Sequence, residues 1–171
     1  MTTTCIQDLD EEILLRHFCL EAEAAHVTSW CEEHCARSTS SGAERIATAL
    51  KLKDKGNLAL KGDKALAALH IYLAALHHCD FSESAKAQLL KTDDDKSELR
   101  AATLVVLLNL SLAFLKKEDF YNTDRAATLG LWFAEKQRTR EDGQERARAK
   151  LLYRRALSRF KGATGDAAPV G

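Results

Sequence analysis

The sequence predicts an all-α protein, and three features of the chain support this fold class. Only one proline occurs among the 171 residues, and the chain is rich in Ala, Leu, Lys, Glu and Arg, which have high helix propensities. Apolar residues recur along most of the chain at the i, i+3, i+4 spacing of one helix face. Runs of β-branched residues, which are typical of strands, are few. A chain of this length can form one domain with a real core.

Residues 6–36 are predicted to form a helical block at the N-terminus. The apolar residues on one face of this block are Ile6, Leu9, Ile13, Leu14 and Phe18. Acidic residues fill its first turns, where the helix dipole favours them. The run RSTSSG at 37–42 breaks the pattern. We therefore assign residues 1–42 to an N-terminal helical extension with a Ser-rich linker.

Further helices are predicted along the rest of the chain, with polar breaks between them. Their expected bounds are about 43–61, 64–79, 96–117, 119–136 and 144–160, with a short helix over ESAKAQLL. The acidic run DDD at 93–95 is predicted to be a solvated loop, and QRTREDGQ is either a loop or a helix extension. Residues 43–161 would form the main domain, and residues 162–171 a flexible tail.

The first two helices of this domain are predicted to pack closely as an antiparallel hairpin. Small residues and one ring face each other in the set Gly56, Ala59, Ala68, Tyr72 and Ala75. A glycine inside a helix costs about 1 kcal/mol relative to alanine. Gly56 therefore predicts a point where a neighbouring helix comes close.

The bulk properties exclude several classes of protein. Lys plus Arg equals Asp plus Glu at 25 each, which argues against a general nucleic-acid binder. No apolar stretch approaches the roughly 18 uncharged residues of a membrane span, and the N-terminus lacks the basic region of a signal peptide. Five cysteines form no regular framework, which favours reduced thiols and a cytoplasmic location. We expect no membrane association, no cofactor and no catalytic site.

A cluster of histidines and cysteines in the N-terminal block raises the question of a metal site. Its members are His17, Cys19, His26, Cys31, His34 and Cys35. Their spacing is not that of a C-x-x-C knuckle, and thiols are common core residues. We favour free cysteines on a helix that packs or pairs, and predict no metal site.

Three segments resemble the tetratricopeptide-repeat (TPR) family. KDKGNLALKGDKALAALHIYLAAL resembles a first repeat, LLNLSLAFLKKEDF a second, and AKLLYRRAL the opening of a third, together covering about residues 44–160. The resemblance is closest to the co-chaperone type found in Hop-like adaptors and TPR immunophilins. It implies antiparallel helix hairpins stacked as a TPR superhelix, with two hairpins and the first helix of a third repeat. In the second hairpin, either an insertion lies at YNTD, or Thr123, Ala127 and Gly130 take the small and ring positions.

The resemblance also implies a carboxylate clamp, a groove that grips the end of an acidic peptide. Its five positions match Lys53, Asn57, Asn109, Lys150 and Arg154. Two of the pairs have i, i+4 spacing and therefore share a helix face. By resemblance, the Lys and both Asn side chains of the first two repeats bind the terminal carboxylate. The third-repeat Lys binds a side-chain carboxylate, and the Arg meets the peptide just upstream.

These residues lead us to expect a non-catalytic adaptor that binds the acidic EEVD-type tail of the cytosolic 70-kDa or 90-kDa heat-shock proteins. A second protein partner is expected at the N-terminal helix, which would also cover part of the apolar end of the stack. One alternative is a structural assembly subunit whose groove binds a partner helix or its own N-terminal helix. Another is a regulatory domain of a larger enzyme. For the five polar residues themselves, the alternative is a solvated charged face, with Asn109 hydrogen-bonded to a neighbouring helix.

Overall fold

The structure, a computed structural model, describes residues 17–18, 41–81, 83–136 and 142–164, and in these ranges the regular elements are helices, with no strand. The helices are α1 (Gly42–Lys61), α2 (Ala65–Cys79), α3 (Glu83–Leu89), α4 (Asp93–Lys116), α5 (Phe120–Lys136) and α6 (Asp142–Ala163). The all-α prediction is confirmed. Each helix begins and ends within about three residues of its predicted bounds.

Capping boxes start α1 and α4. Ser41 Oγ accepts a hydrogen bond from the Glu44 amide at 3.2 Å, and Glu44 Oε2 accepts one from the Ser41 amide at 2.7 Å. In the same way, Thr92 Oγ1 accepts a hydrogen bond from the Asp95 amide at 3.0 Å, and Asp95 Oδ2 accepts one from the Thr92 amide at 2.9 Å. The prediction that residues 93–95 form a solvated loop is therefore wrong: they are the first turn of α4. Acidic side chains are stabilised there by the free amides and the helix dipole.

The turns that close the two hairpins have the same geometry. Asp63, between α1 and α2, has φ 57°, and Glu118, between α4 and α5, has φ 59°. In each turn the next amide donates back to a carbonyl five residues earlier, from Lys64 to Ala59 and from Asp119 to Phe114, both at 3.0 Å. This is the Schellman arrangement, in which a left-handed residue ends a helix. The chain thus contains two hairpins that turn in the same way, 55 residues apart.

The helices pack in a definite order. The hairpin partners α1 and α2 lie against each other, as do α4 and α5. Helix α4 also packs on α1, α2 and α6, and α5 packs on α6. Consequently α1, α4 and α6 are successive neighbours on one side of the fold, while α2 and α5 provide the helices that cover them.

Gly56 lies where a neighbouring helix comes close, as predicted. A Cβ atom at this position would lie 2.5 Å from the Tyr72 ring, and Tyr72 is completely buried. In the second hairpin, α5 is continuous from Phe120 and includes YNTD in its first turns. Thr123 and Ala127 are fully buried, and a Cβ at Gly130 would lie 3.0 Å from a methyl of Leu151 on α6.

His17 and Phe18, the described residues of the N-terminal block, both contact the helical domain. Phe18 is buried, with its ring 5.6 Å from that of Phe114 on α4. The backbone carbonyl of His17 accepts a hydrogen bond from Arg125 Nε. His17 lies in a 3₁₀ turn and Phe18 in a bend, so the block is not one continuous α-helix across them. Phe18 is part of the core, and the rest of the predicted block lies outside the described residues.

Helix α4 is long and apolar enough, by length and composition, to cross a membrane. The expectation that no stretch approaches this length does not hold for it. Within the fold, however, 56% of its most apolar window is buried. A core helix of a soluble protein meets the same criterion, so this feature is weak evidence of a membrane span.

Candidate peptide-binding site

The five predicted site residues lie on α1, α4 and α6, the three helices that pack side by side. Lys53 and Asn57 belong to α1, Asn109 to α4, and Lys150 and Arg154 to α6. Each i, i+4 pair is on one helix, so its two side chains are one turn apart on the same face. Their surroundings differ considerably.

Asn57 is held by Tyr72. The Tyr72 hydroxyl donates to Asn57 Oδ1 at 2.7 Å. Burial raises the pKa of Tyr72 to about 12, with the nearby Arg154 charge acting in the opposite direction, so the hydroxyl keeps its proton at neutral pH. Because the amide oxygen is occupied by this bond, the two amide hydrogens of Asn57 remain as donors on its other side.

Arg154 joins α6 to α4. It is 9% exposed, and its Nη1 donates to the Leu108 carbonyl and, at 3.0 Å, to Ser111 Oγ. Burial lowers the pKa of Arg154, and the neighbouring Tyr72 hydroxyl opposes that shift. Arginine nevertheless keeps its charge in proteins. Its guanidinium is therefore a fixed positive group, already bonded on one side to the protein.

Lys53 is the less exposed member of a surface ion pair. Its Nζ lies 2.7 Å from Asp54 Oδ1, with 21% of the lysine side chain and 68% of the aspartate exposed. An ion pair between solvated neighbours contributes at most about 1 kcal/mol. Another carboxylate can therefore replace Asp54 beside Lys53 at little cost in free energy.

Asn109 and Lys150 make no side-chain hydrogen bond or ion pair within the part of the chain that the structure describes. Asn109 is half-buried and Lys150 is exposed. The Asn109 amide is therefore not fully buried, although it lies in an apolar stretch of α4. Its alternative role, a structural hydrogen bond to a neighbouring helix, is not seen among the described residues either. Both side chains keep their donors available.

Sequence reasoning missed how Tyr72 and Ser111 support the site. Tyr72 was expected only as a packing ring, but its hydroxyl also orients Asn57. Ser111 is fully buried and accepts from Arg154. It lies 55 residues after Gly56, the same separation as between the two hairpin turns. This repeat was the signal that could have identified Ser111 as a small residue at a helix contact.

No group of three or more His, Cys, Asp or Glu side chains that could hold a metal occurs within the described ranges. Of the predicted histidine–cysteine cluster, only His17 belongs to those ranges. Cys79 is a free, buried thiol, and burial raises its pKa to about 12. It is therefore neutral and unreactive near neutral pH.

The arrangement as a whole is a set of hydrogen-bond donors. Lys53, Asn57, Asn109 and Lys150 offer N–H groups from three adjacent helices, and Arg154 adds a fixed charge beside them. Such a set binds carboxylates through charge-assisted hydrogen bonds. Comparison of the chain with protein-family models, curated proteins and solved structures found no match.

Proposed function

We propose that this chain is a TPR domain of the carboxylate-clamp type, a non-catalytic adaptor for the acidic C-terminal tail of a heat-shock chaperone. One observation carries the proposal. Helix α1 carries one pair of donors and α6 another, and the two members of each pair are one turn apart. Helix α4 packs against both of these helices and carries the amide of Asn109. A C-terminal aspartate presents two carboxylates, and these need several converging donors.

Three features of the helices support a repeat arrangement for the proposed domain. The two hairpin turns share their left-handed residue and their backbone hydrogen bonds. Gly56 and Ser111 are small buried residues 55 residues apart, with Gly56 against the Tyr72 ring and Ser111 bonded to Arg154. The first helices of the successive repeats, α1, α4 and α6, are neighbours in that order. Stacked repeats, in which each unit contacts the next, have this order of contacts.

In the proposed complex the terminal carboxylate of the peptide lies against α1 and α4. Lys53 releases Asp54 and pairs with the carboxylate, while Asn57 and Asn109 donate amide hydrogens to it. The Tyr72 hydroxyl stabilises Asn57 in the orientation that this requires, so less side-chain freedom is lost on binding. Lys150 binds the side-chain carboxylate of the terminal aspartate.

Arg154 has a positioning role in this proposal. Its bonds to Leu108 and Ser111 hold α6 against α4, and this sets the distance between Lys150 and the Asn109 amide. The remaining guanidinium nitrogens supply positive charge close to Tyr72 and Asn57. Because exposed charges contribute to the recognition, the affinity falls as ionic strength rises.

Isothermal titration calorimetry with a pentapeptide ending in EEVD tests the function. Binding should need the free C-terminus, so a C-terminally amidated copy should bind much more weakly. Lys53→Ala and Lys150→Ala should each weaken binding by about ten- to a hundredfold, since a hydrogen bond to a charged group contributes about 1.5–3 kcal/mol. Lys51→Ala, at an exposed lysine of the same helix α1, is the matched control and should change little.

The reasoning fails if neither peptide gives heat, or if the Lys51 variant loses as much affinity as the Lys53 variant. If neither peptide gives heat, the five residues are surface and structural groups. The second result would show that only the general charge of α1 matters.

Exposed apolar residues on α6 favour a second candidate function, assembly with another protein through this helix. Leu152, Tyr153 and Phe160 are 41%, 66% and 65% exposed, and they lie on one side of α6 at helical spacing. Repeat stacks normally cover such a face. Light scattering over a range of concentrations tests the idea: a mass that rises with concentration, and that Leu152→Ser with Phe160→Ser returns to that of a monomer, would favour assembly.

A further inference from the structure

A cavity of about 550 Å³ lies away from the candidate peptide-binding site. Its lining comes from the last residue of α2, from α3 and the segment after it, from the first half of α4, and from α5 near its C-terminal end. This volume is within the range of about 300–1,000 Å³ that is usual for small-molecule sites. Neither the repeat contacts nor the proposed clamp uses the cavity.

The floor of the cavity is apolar and buried. Cys79, Leu90, Leu99 and Phe133 line it and are all less than 9% exposed. Thr103 also reaches the lining, but its hydroxyl donates to the Leu99 carbonyl within α4 at 2.8 Å. A polar ligand group placed on this floor would therefore lose its water without finding a donor, which costs free energy. An apolar group would be stabilised there by burial.

The mouth of the cavity is basic. Lys86, Lys91, Lys96 and Arg100 line it, and among the described residues no acidic side chain does. Lys96 lies 3.7 Å from Asp93, but both side chains are largely exposed, so this pair neutralises the mouth only weakly. Within the described ranges Lys91 and Arg100 have no ion pair. Lys96 and Arg100 are one helical turn apart on α4, so their charges face the same side.

We propose that this cavity binds an anionic amphiphile, a medium- or long-chain carboxylate whose acyl chain lies on the apolar floor and whose head group pairs with Lys91 and Arg100. Each half of the ligand has a matching surface: the floor is apolar, and at the mouth Lys91 and Arg100 have no ion pair within the described ranges. An inorganic anion would leave the floor unfilled, and a neutral lipid would leave the cations without a partner. The cavity shares no residue with the clamp, so the proposal for the cavity can be refuted without refuting the proposed peptide binding, and the reverse also holds.

Calorimetric titration of the full chain with dodecanoate, below its micelle-forming concentration, tests the proposal. Dodecyltrimethylammonium carries the same chain with the opposite charge, and acetate carries the head group alone. We expect one saturable site for dodecanoate, binding at least about tenfold weaker for the cationic amphiphile, and no measurable binding for acetate.

Variants locate the site. Ala87 lines the cavity and is exposed, so Ala87→Trp should fill the cavity without disturbing the core, and it should abolish dodecanoate binding. Lys91→Glu with Arg100→Glu should weaken binding by about tenfold or more, because the head group then meets like charge. Lys51→Glu, an equal change of charge per residue on α1 outside the lining, should leave it unchanged.

Three results would overturn the proposal. They are the absence of dodecanoate binding, equal affinity for the cationic amphiphile, and full affinity in the Ala87→Trp variant. Urea unfolding of each variant shows that the fold is retained. Because none of these variants touches a clamp residue, the EEVD peptide should bind each of them as it binds the unmodified chain.

Discussion

Replacing Gly56 with alanine tests the closest helix contact in the fold. The new Cβ would lie 2.5 and 2.7 Å from two Tyr72 ring carbons, where real Cβ atoms essentially never lie. The ring cannot yield easily, because it is completely buried and its hydroxyl is bonded to Asn57. Overpacking of this kind costs about 1–3 kcal/mol, and the better helix propensity of alanine returns about 1 kcal/mol. With a contact this short we expect the upper part of that range, a net loss of about 1–2 kcal/mol.

Urea unfolding followed by circular dichroism measures this loss as a lower midpoint at constant slope. Gly143→Ala and Gly162→Ala are matched controls, since both glycines lie in α6 and a Cβ there meets nothing within 4 Å. They should leave stability unchanged or raise it by up to about 1 kcal/mol. If Gly56→Ala stabilises the protein as the controls do, the close contact between α1 and Tyr72 does not exist in solution.

Two further substitutions and one pH dependence test other parts of the structure. Thr92→Ala should lower the free energy of unfolding by about 1 kcal/mol, because it removes the capping box that starts α4; urea midpoints measure it. Arg154→Leu should cost about 1.5–3 kcal/mol in the same assay, since the Leu108 carbonyl and Ser111 lose a charged donor. Because of His17, the free energy of unfolding should depend on pH. Burial first, and then the Arg125 charge, lower its pKa from 6.5 to about 4, so the folded state favours neutral His17. Its contribution is therefore complete above pH 6.5 and is lost as the pH falls towards 4. The free energy of unfolding, measured by urea unfolding, should fall over this range by about 1–2 kcal/mol, discounted for partial exposure.

Each of these expectations has its own control. Thr164→Ala, at the far end of α6 beyond the core, should be neutral where Thr92→Ala is not. Arg146→Ala, at an exposed arginine of α6, should cost less than about 0.5 kcal/mol; an equal loss would mean that the Arg154 bonds contribute nothing. His17→Gln should flatten the acid limb of the stability curve, and an unchanged limb would assign it to other groups.

The helices were predictable because their signals are local. Gly62 and Lys117 close their helices with backbone bonds to residues four positions earlier, and Ser41 and Thr92 cap theirs through residues three positions later. The prediction of a loop at 93–95 is wrong because it rests on the charge of the run alone. Thr92, immediately before the run, is an N-cap residue, and acidic residues are favoured in the first helical turn.

The residues proposed for the site come from the resemblance of the sequence to the TPR family, and only the structure gives their environments. Spacing alone places Lys53 with Asn57 and Lys150 with Arg154. It does not show that Arg154 is buried and bonded across to α4, or that Asn109 is half-exposed. Those properties depend on the position of another helix, which the spacing of residues along one helix does not predict.

The sequence by itself determined the helical class, the bounds of the helices and the close contact at Gly56, because a helix is closed by hydrogen bonds between residues three or four apart. The tertiary structure decided which polar groups meet. Tyr72 reaches Asn57 across 15 residues, and Arg154 reaches Leu108 across 46. It also decided that basic residues of α3 and α4 surround one apolar cavity. These contacts arise only when separate helices bury their apolar faces together, and the resulting distances are set by the whole core rather than by any one segment.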